Sequence, residues 1–318
     1  MSIADFINAN PLIFYGIISL ASLAIVAKSS DLLVYSISNY AKKLGISDYL
    51  IGFLVVSIGT ALPELVASVN AALVQQGAIV FGTILGSNLF EILLLGIVVL
   101  IGRKIVINKT AIGTAPITTL FLGVLPLFFV IDGKLSRMDG AILLIAFLVY
   151  IARLWYGEGK LGKMKKNVKL RHIYKDSFIF LGALVALLLS ARWLVHSSIK
   201  VSEILNISPY IIGLIVIGVG GSAPEMMVQV RSVLKQHSDM ALGNVLGSIV
   251  ANSSFVLGLT ALINPFSINF GMLIITFIFL VVGILFTLVI TGKEEINWKH
   301  GLILIAIYIA FLLAEWLL

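Results

Sequence analysis

Residues 44–69 read LGISDYLIGFLVVSIGTALPELVASV, and residues 205–230 read LNISPYIIGLIVIGVGGSAPEMMVQV. The two stretches align at a constant offset of 161 residues, and 11 of their 26 positions are identical. The match resumes further along, since Gly82, Leu85, Gly86 and Ser87 recur 161 residues later. Because self-similarity at a fixed offset is the mark of a duplicated unit, the chain is predicted to contain two related halves.

The composition indicates that these halves lie in lipid. Of the 318 residues 60% are hydrophobic and 12% are charged, whereas soluble domains carry about 25% charged residues. A spanning helix needs about 20 mostly apolar residues. Ten such runs are visible, at residues 12–37, 45–74, 78–102, 111–131, 140–156, 177–199, 207–234, 240–263, 268–291 and 300–318. We therefore predict an all-α polytopic membrane protein with ten transmembrane helices, here called spans 1 to 10.

The long polar segment 157–176 divides the chain into a first repeat at 1–156 and a second repeat at 177–318. This linker is rich in Lys and Arg. If it faces the cytoplasm, 17 of the 22 Lys and Arg residues fall inside, and only Lys134, Arg137 and Lys200 fall outside. Basic residues concentrate in short cytoplasmic loops. The pattern predicts a cell-membrane protein with both termini outside, and it explains the net charge of +7 without a nucleic-acid partner.

Each repeat holds five spans, an odd number, so the second repeat must cross the membrane in the opposite sense to the first. Inverted repeats of this kind, with a binding site near the bilayer midplane, are typical of secondary transporters. Channels and enzymes can also be duplicated. The repeat therefore favours transport without excluding the other two classes.

Spans 2 and 7 each contain an acid at a depth where lipid would normally exclude one. Glu64 lies near the middle of span 2, and Glu225 is its equivalent in span 7. A carboxylate within a membrane is costly, and it usually marks an ion or proton site. The alternative is a structural acid at a helix break, but the same acid recurs in both repeats.

A proline precedes each acid. Pro63 cannot donate to the carbonyl of Gly59, and Pro224 cannot donate to the carbonyl of Gly220, because proline has no N–H. Each freed carbonyl lies about one turn before a carboxylate. We therefore expect an open backbone at both points, lining an enclosed cavity.

Spans 3 and 8 supply further oxygen atoms. Ser87 and Glu91 are four residues apart and share a helix face, and Ser248 and Asn252 repeat that spacing. Calcium binds six to eight oxygen ligands, and the chain has no cysteine for a soft-metal site. The predicted metal ligands are Glu64, Glu225, Glu91, Asn252, Thr60, Ser222, Ser87 and Ser248, with the carbonyls of Gly59 and Gly220.

These motifs resemble a known family. GTALPE at 59–64 and GGSAPE at 220–225 are similar to the two α-repeat signatures of the sodium/calcium exchangers, in the calcium/cation antiporter superfamily, prokaryotic type. The segments GSNLFE at 86–91 and GNVLGS at 243–248 resemble the motifs that follow them. The resemblance implies alternating access and a central site, where the two Glu residues bind calcium while hydroxyls and carbonyls bind sodium.

The chain departs from the family pattern at several positions. Ala61 and Gly221 stand where hydroxyl residues are usual, and Gln229 replaces a small hydroxyl residue. The acid of the acid/amide pair is Glu91 in the first repeat, and the amide is Asn252 in the second. Because charge is kept while two hydroxyl ligands are lost, calcium stays the predicted ion, whereas the case for sodium as its counter-ion is weaker.

The sequence therefore predicts a secondary antiporter that exchanges calcium for sodium. Proton or potassium coupling on the same fold is the first alternative, and a cation channel or an intramembrane enzyme is the second. No HExxH motif or nucleophile–base pair is visible, so we expect that the protein is not an enzyme. We expect no cofactor other than the transported Ca²⁺ and Na⁺, and no partner other than the lipid bilayer. The sequence does not determine the oligomeric state, and a monomer is one of the possibilities.

Overall fold

The structure is a computed structural model that describes residues 10–43, 61–106, 115–157, 173–234, 238–293 and 295–317. Six helices in it are long and apolar enough to cross a membrane: Pro11–Leu33, Gly77–Gly102, Phe178–Leu205, Leu242–Ile263, Phe270–Thr291 and Trp298–Leu317. Much of span 2 and the linker at 157–176 lie outside the described residues. The helical, polytopic class is thus present, and the ten-span count and the inverted repeat stay predictions.

In the first half the helices are α1 (Pro11–Lys43), α2 (Leu62–Leu73), α3 (Gly77–Gly102), α4 (Ala115–Phe129) and α5 (Arg137–Gly157), with short strands β1 (Lys104–Val106) and β2 (Lys134–Leu135). In the second half they are α6 (Ile173–Leu205), α7 (Pro209–Ile212), α8 (Ala223–Leu234), α9 (Ser238–Val250), α10 (Leu257–Ile263), α11 (Ile274–Thr291) and α12 (Trp298–Leu317), with β3 (Phe266–Ser267) and β4 (Glu295–Asn297). A 3₁₀ turn, Phe270–Leu273, precedes α11.

The helices that carry the predicted ligands lie at the centre. The most apolar windows of α3 and of Leu242–Ile263 are 72% and 78% buried, against 22% for those of Pro11–Leu33 and Trp298–Leu317. The outer helices leave large apolar side chains exposed, as lipid-facing helices do. The polar oxygens of spans 3 and 8 are therefore enclosed by protein, which in turn is enclosed by an apolar surface.

Small residues allow α3 to cross span 7 closely. A Cβ atom on Gly82 would meet the carbonyl oxygen of Tyr210, and one on Gly86 would meet that of Leu214. Glycines four residues apart on one helix face allow close helix contacts of this kind. α3 packs through these glycines against the opposite half of the chain.

Two short antiparallel sheets join the loops at the helix ends. Strand β1 pairs with β4, with Ile105 opposite Ile296, and β2 pairs with β3, with Leu135 opposite Phe266. Each sheet joins two loops that the charge pattern assigns to the same side of the membrane, β1 and β4 inside and β2 and β3 outside. These pairings agree with the predicted alternation of the spans.

Span 7 is a broken helix, as its Gly and Pro residues predicted. A π-helical segment, Gly213–Val219, follows α7, and Ser222 lies in a turn before α8 begins at Ala223. In span 2, α2 begins at Leu62, directly after Ala61. Both acids therefore sit in the first turn of a helix, Glu64 in α2 and Glu225 in α8, where the helix dipole favours negative charge.

Candidate ion-binding site

Glu64 lies at the centre of a buried hydrogen-bond network. Its side chain is fully buried, and its Oε1 atom accepts hydrogen bonds from the hydroxyls of Ser87 and Ser222, each at 3.4 Å. The two hydroxyl oxygens also lie 2.7 Å apart, so that either one can donate to the other in place of the carboxylate. Ser87 comes from α3 and Ser222 from the break in span 7, so one carboxylate oxygen joins the two halves of the chain.

Asn252 extends this network from span 8. Its Nδ2 atom donates to the Ser87 hydroxyl at 3.1 Å. The residue lies in a second π-helical segment, Ala251–Val256, between α9 and α10. π-helical segments are rare and often mark functional sites. The structure thus brings together four predicted ligands, which are Glu64, Ser87, Ser222 and Asn252.

Glu91 belongs to a neighbouring pair. Its Oε2 atom accepts a hydrogen bond from Nε2 of Gln229, which lies on α8. Both side chains are fully buried. The acid of the first half is therefore held by an amide of the second half.

Many buried oxygens at the centre lack a hydrogen-bond donor. Within the described part of the chain, Oε2 of Glu64 and Oε1 of Glu91 have no hydrogen-bond partner. The same is true of the side-chain carbonyls of Asn252 and Gln229 and the hydroxyls of Ser68 and Ser248. No Lys, Arg or His among the described residues forms an ion pair with Glu64 or Glu91. Buried acceptors without partners are costly. A cation would satisfy these oxygens and balance the carboxylates.

Glu225 is fully buried in the first turn of α8. It lies four residues before Gln229 and therefore on the same helix face. Among the described residues no group of three acid, His or Cys side chains is close enough to hold one metal ion. The three acids are therefore not gathered around one point in this conformation, and hydroxyl and amide oxygens would have to complete any ion site.

The remaining predicted ligands are placed as follows. Ser248 is fully buried in α9, one helical turn before Asn252. Gly220 follows the π-helical segment of span 7. Thr60 and Gly59 lie outside the described residues, so their predicted roles stay predictions.

Gly221 gives the Glu64 carboxylate its space. A Cβ atom at this position would stand 2.7 Å from Oε1 of Glu64 and 3.8 Å from Pro63. In the structure the absent side chain leaves room that the carboxylate occupies.

Two more contacts were not predicted as part of the site. Gln229 appeared in the sequence only as a departure from the family pattern, although its i+4 spacing from Glu225 is a usable signal. Asn88 donates to the Ser253 hydroxyl at 2.8 Å and joins span 3 to span 8 at their centres. Their equivalents at the 161-residue offset are Ile249 and Ile92, so the repeat gave no signal for this bond.

Comparison with known proteins agrees with this geometry. The family model for sodium/calcium exchanger proteins matches residues 14–156 and 176–317. The sodium/calcium exchanger MaX1 of Methanosarcina acetivorans is 29% identical over 93% of this chain and 97% of its own length. Inner membrane protein YrbG of Escherichia coli is 34% identical over 79% of this chain and 80% of its own length.

The fold also matches solved structures. One structure of the sodium-calcium exchanger NCX_Mj, soaked with Na⁺ and Sr²⁺, superimposes with a TM-score of 0.67 and 26% identity, over 95% of this chain and 98% of that one. The resemblance of the sequence motifs is thereby confirmed across both halves. The chain belongs to the sodium/calcium exchanger family, whose members are multi-pass membrane antiporters of calcium and other cations.

Proposed function

We propose that this protein exchanges calcium for sodium across the membrane by alternating access to the site around Glu64. The observation that carries the proposal is the environment of that carboxylate. Glu64 is fully buried, it accepts from hydroxyls of both halves, and its Oε2 atom has no partner among the described residues. A buried carboxylate with an unpartnered oxygen is suited to bind a cation reversibly.

Calcium suits the chemistry of the donor atoms. The candidate ligands are carboxylate, amide, hydroxyl and carbonyl oxygens, which hard cations prefer. Glu64 and Glu225 together carry two negative charges when ionised, enough to balance one Ca²⁺. Imidazole and thiolate, which softer metals prefer, are missing from the proposed ligand set.

Two observations support sodium as the counter-ion: the relative MaX1 is a sodium/calcium exchanger, and the site contains a network of hydroxyls. Ser87 and Ser222 offer neutral oxygens beside Glu64, and a monovalent ion needs fewer charged ligands than calcium does. Ala61 and Gly221 offer no hydroxyl. Proton or potassium coupling on the same fold therefore stays the alternative proposal.

Alternating access requires helices that can move past the site. α1 and α6 pack along each other, and the Ser19 hydroxyl donates to that of Ser197 at 2.8 Å. Leu23 of α1 also lies against Gly220, so that a Cβ atom there would strike the leucine side chain. We propose that movement of α1 with α6 uncovers the site on one side of the membrane at a time.

Glu91 is the proposed group for any proton coupling. Three carboxylates in a dry cavity cannot all stay charged at low cost. We propose that Glu91 carries a proton while calcium is bound and releases it when monovalent ions replace calcium.

The test is calcium uptake driven by an outward sodium gradient, or by an outward proton gradient alone, in the wild type and in Glu91→Gln. We expect a sodium response in the wild type, with a pH dependence that Glu91→Gln flattens. An identical pH profile in both proteins would exclude Glu91 as the titrating group. A response to protons but not to sodium would establish the alternative.

A further inference from the structure

Gln229 and Glu91 make a direct amide–carboxylate contact between the two halves. Nε2 of Gln229 donates to Oε2 of Glu91, and both side chains are completely buried. The amide occupies one oxygen of the carboxylate. Glu91 can then offer a cation only its second oxygen, Oε1, which has no other partner in the described part of the protein.

Gln229 brings an oxygen of its own. Its Oε1 atom is buried and has no donor among the described residues. An amide carbonyl is a hard ligand of the kind that alkali and alkaline-earth ions bind. The pair therefore presents one carboxylate oxygen and one carbonyl oxygen, with a total charge of −1 when Glu91 is ionised.

The equivalent positions of the two halves differ in a matched way. At an offset of 161 residues Glu91 corresponds to Asn252, and Gln229 corresponds to Ser68. Where span 3 carries an acid, span 7 carries a long amide that reaches it. Where span 8 carries a neutral amide, span 2 carries a short hydroxyl, and Asn252 donates to Ser87 instead. The amide at 229 therefore accompanies the charge at 91.

We propose that Gln229 and Glu91 form a monovalent-cation subsite, taking Na⁺, in which Gln229 both holds the carboxylate and supplies a ligand. A charge of −1 matches one monovalent ion, whereas Glu64 and Glu225 match one divalent ion. The subsite compensates for the hydroxyls that Ala61 and Gly221 lack. This inference rests on the proposed function, because it assigns one of the exchanged ions to a place.

A direct binding measurement tests the subsite without transport. Purified protein is melted in rising NaCl, with N-methylglucamine chloride holding the ionic strength constant, since a bound ion raises the melting temperature by mass action. Gln229→Met keeps the length of the side chain and removes both the donor and the carbonyl. We expect it to shift the sodium concentration for half-maximal stabilisation upward about tenfold or more, as loss of a charge-assisted contact and a ligand implies.

The controls separate a ligand from a packing residue. Gln75→Met makes the same chemical change on an exposed side chain outside the site and should leave the sodium dependence within about twofold of wild type. In a Glu91→Gln background Gln229→Met should add little, because the two residues act as a unit. Gln229→Ser is measured in the same way, so that a poor yield of the methionine variant does not decide the result.

Transport supplies the specificity readout. In proteoliposomes Gln229→Met should raise the sodium concentration for half-maximal exchange while the calcium KM changes less than about twofold. Unchanged sodium dependence, an equal shift for both ions, or additive effects with Glu91→Gln would each overturn the subsite. If the wild type binds sodium through Gln229 but does not exchange calcium, the proposed function fails and the subsite stands.

Discussion

Replacing Gly221 by alanine tests the position of the Glu64 carboxylate. A Cβ atom at residue 221 would stand 2.7 Å from Oε1 of Glu64, whereas ordinary contacts begin near 3.4 Å. The carboxylate must therefore move back by about 0.7 Å. Gly221 is buried and Glu64 is completely enclosed, so the displacement changes where the ligand oxygen sits and does not move it into solvent.

The consequence follows from the narrow range of ion–ligand distances. Calcium is bound at about 2.3–2.6 Å, and the hydroxyls of Ser87 and Ser222 already lie 3.4 Å from Oε1. A shift of this size breaks the two hydrogen bonds and misplaces one ligand. Changes that disturb the support of a metal ligand cost about 10–100-fold in affinity. We expect the calcium KM of Gly221→Ala to rise within that range.

The assay is calcium uptake into sodium-loaded proteoliposomes, together with the melting temperature of the purified variant. Gly182→Ala is the matched control, because a Cβ on this exposed glycine of α6 meets nothing within 4 Å among the described atoms. Alanine in a helix stabilises by about 0.5–1 kcal/mol relative to glycine, so Gly182→Ala should not lose stability. For Gly221→Ala the melting temperature shows whether the variant is still folded when its calcium KM is measured. A wild-type calcium KM in a well-folded Gly221→Ala protein would refute the placement of Glu64 as an ion ligand.

Three further predictions follow from the same geometry. Glu64→Gln and Glu225→Gln should each abolish calcium transport in a folded protein, since an amide keeps the shape but loses the charge that offsets ion dehydration; near-native calcium affinity would make that residue structural. Gly86→Ala should lower stability by about 1–3 kcal/mol, because its Cβ meets backbone of span 7; an unchanged melting temperature would contradict the crossing. Cysteines at Ser2 and Lys165 should label from opposite sides of intact cells, and labelling from one side would contradict the predicted topology.

The sequence alone was sufficient to predict the features that occur in both repeats or that follow from local chemistry. Proline and glycine neighbours predicted the helix break before Glu225, which the structure places at Ser222. Helix-face arguments put Ser87 and Asn252 on the lining of one site, and the structure joins them by a hydrogen bond.

The rest depends on contacts between the halves, which a repeat within one chain does not encode. Glu91 meets Gln229 because α3 packs against the opposite half, and no spacing along the sequence relates residues 138 positions apart. The π-helical segment in span 8 has no counterpart in the regular helix α3. It alters the register of span 8 after Val250, and Ser253 can then reach Asn88.

The central claim is that calcium movement is coupled to the opposite movement of sodium. It is tested most directly by following labelled calcium and labelled sodium in the same proteoliposomes, with the membrane potential clamped. The account predicts that calcium enters only as sodium leaves, in a fixed ratio, and that Glu64→Gln abolishes both fluxes. If calcium entered vesicles without any exchangeable cation as fast as it enters sodium-loaded vesicles, the result would contradict the account and would identify a channel.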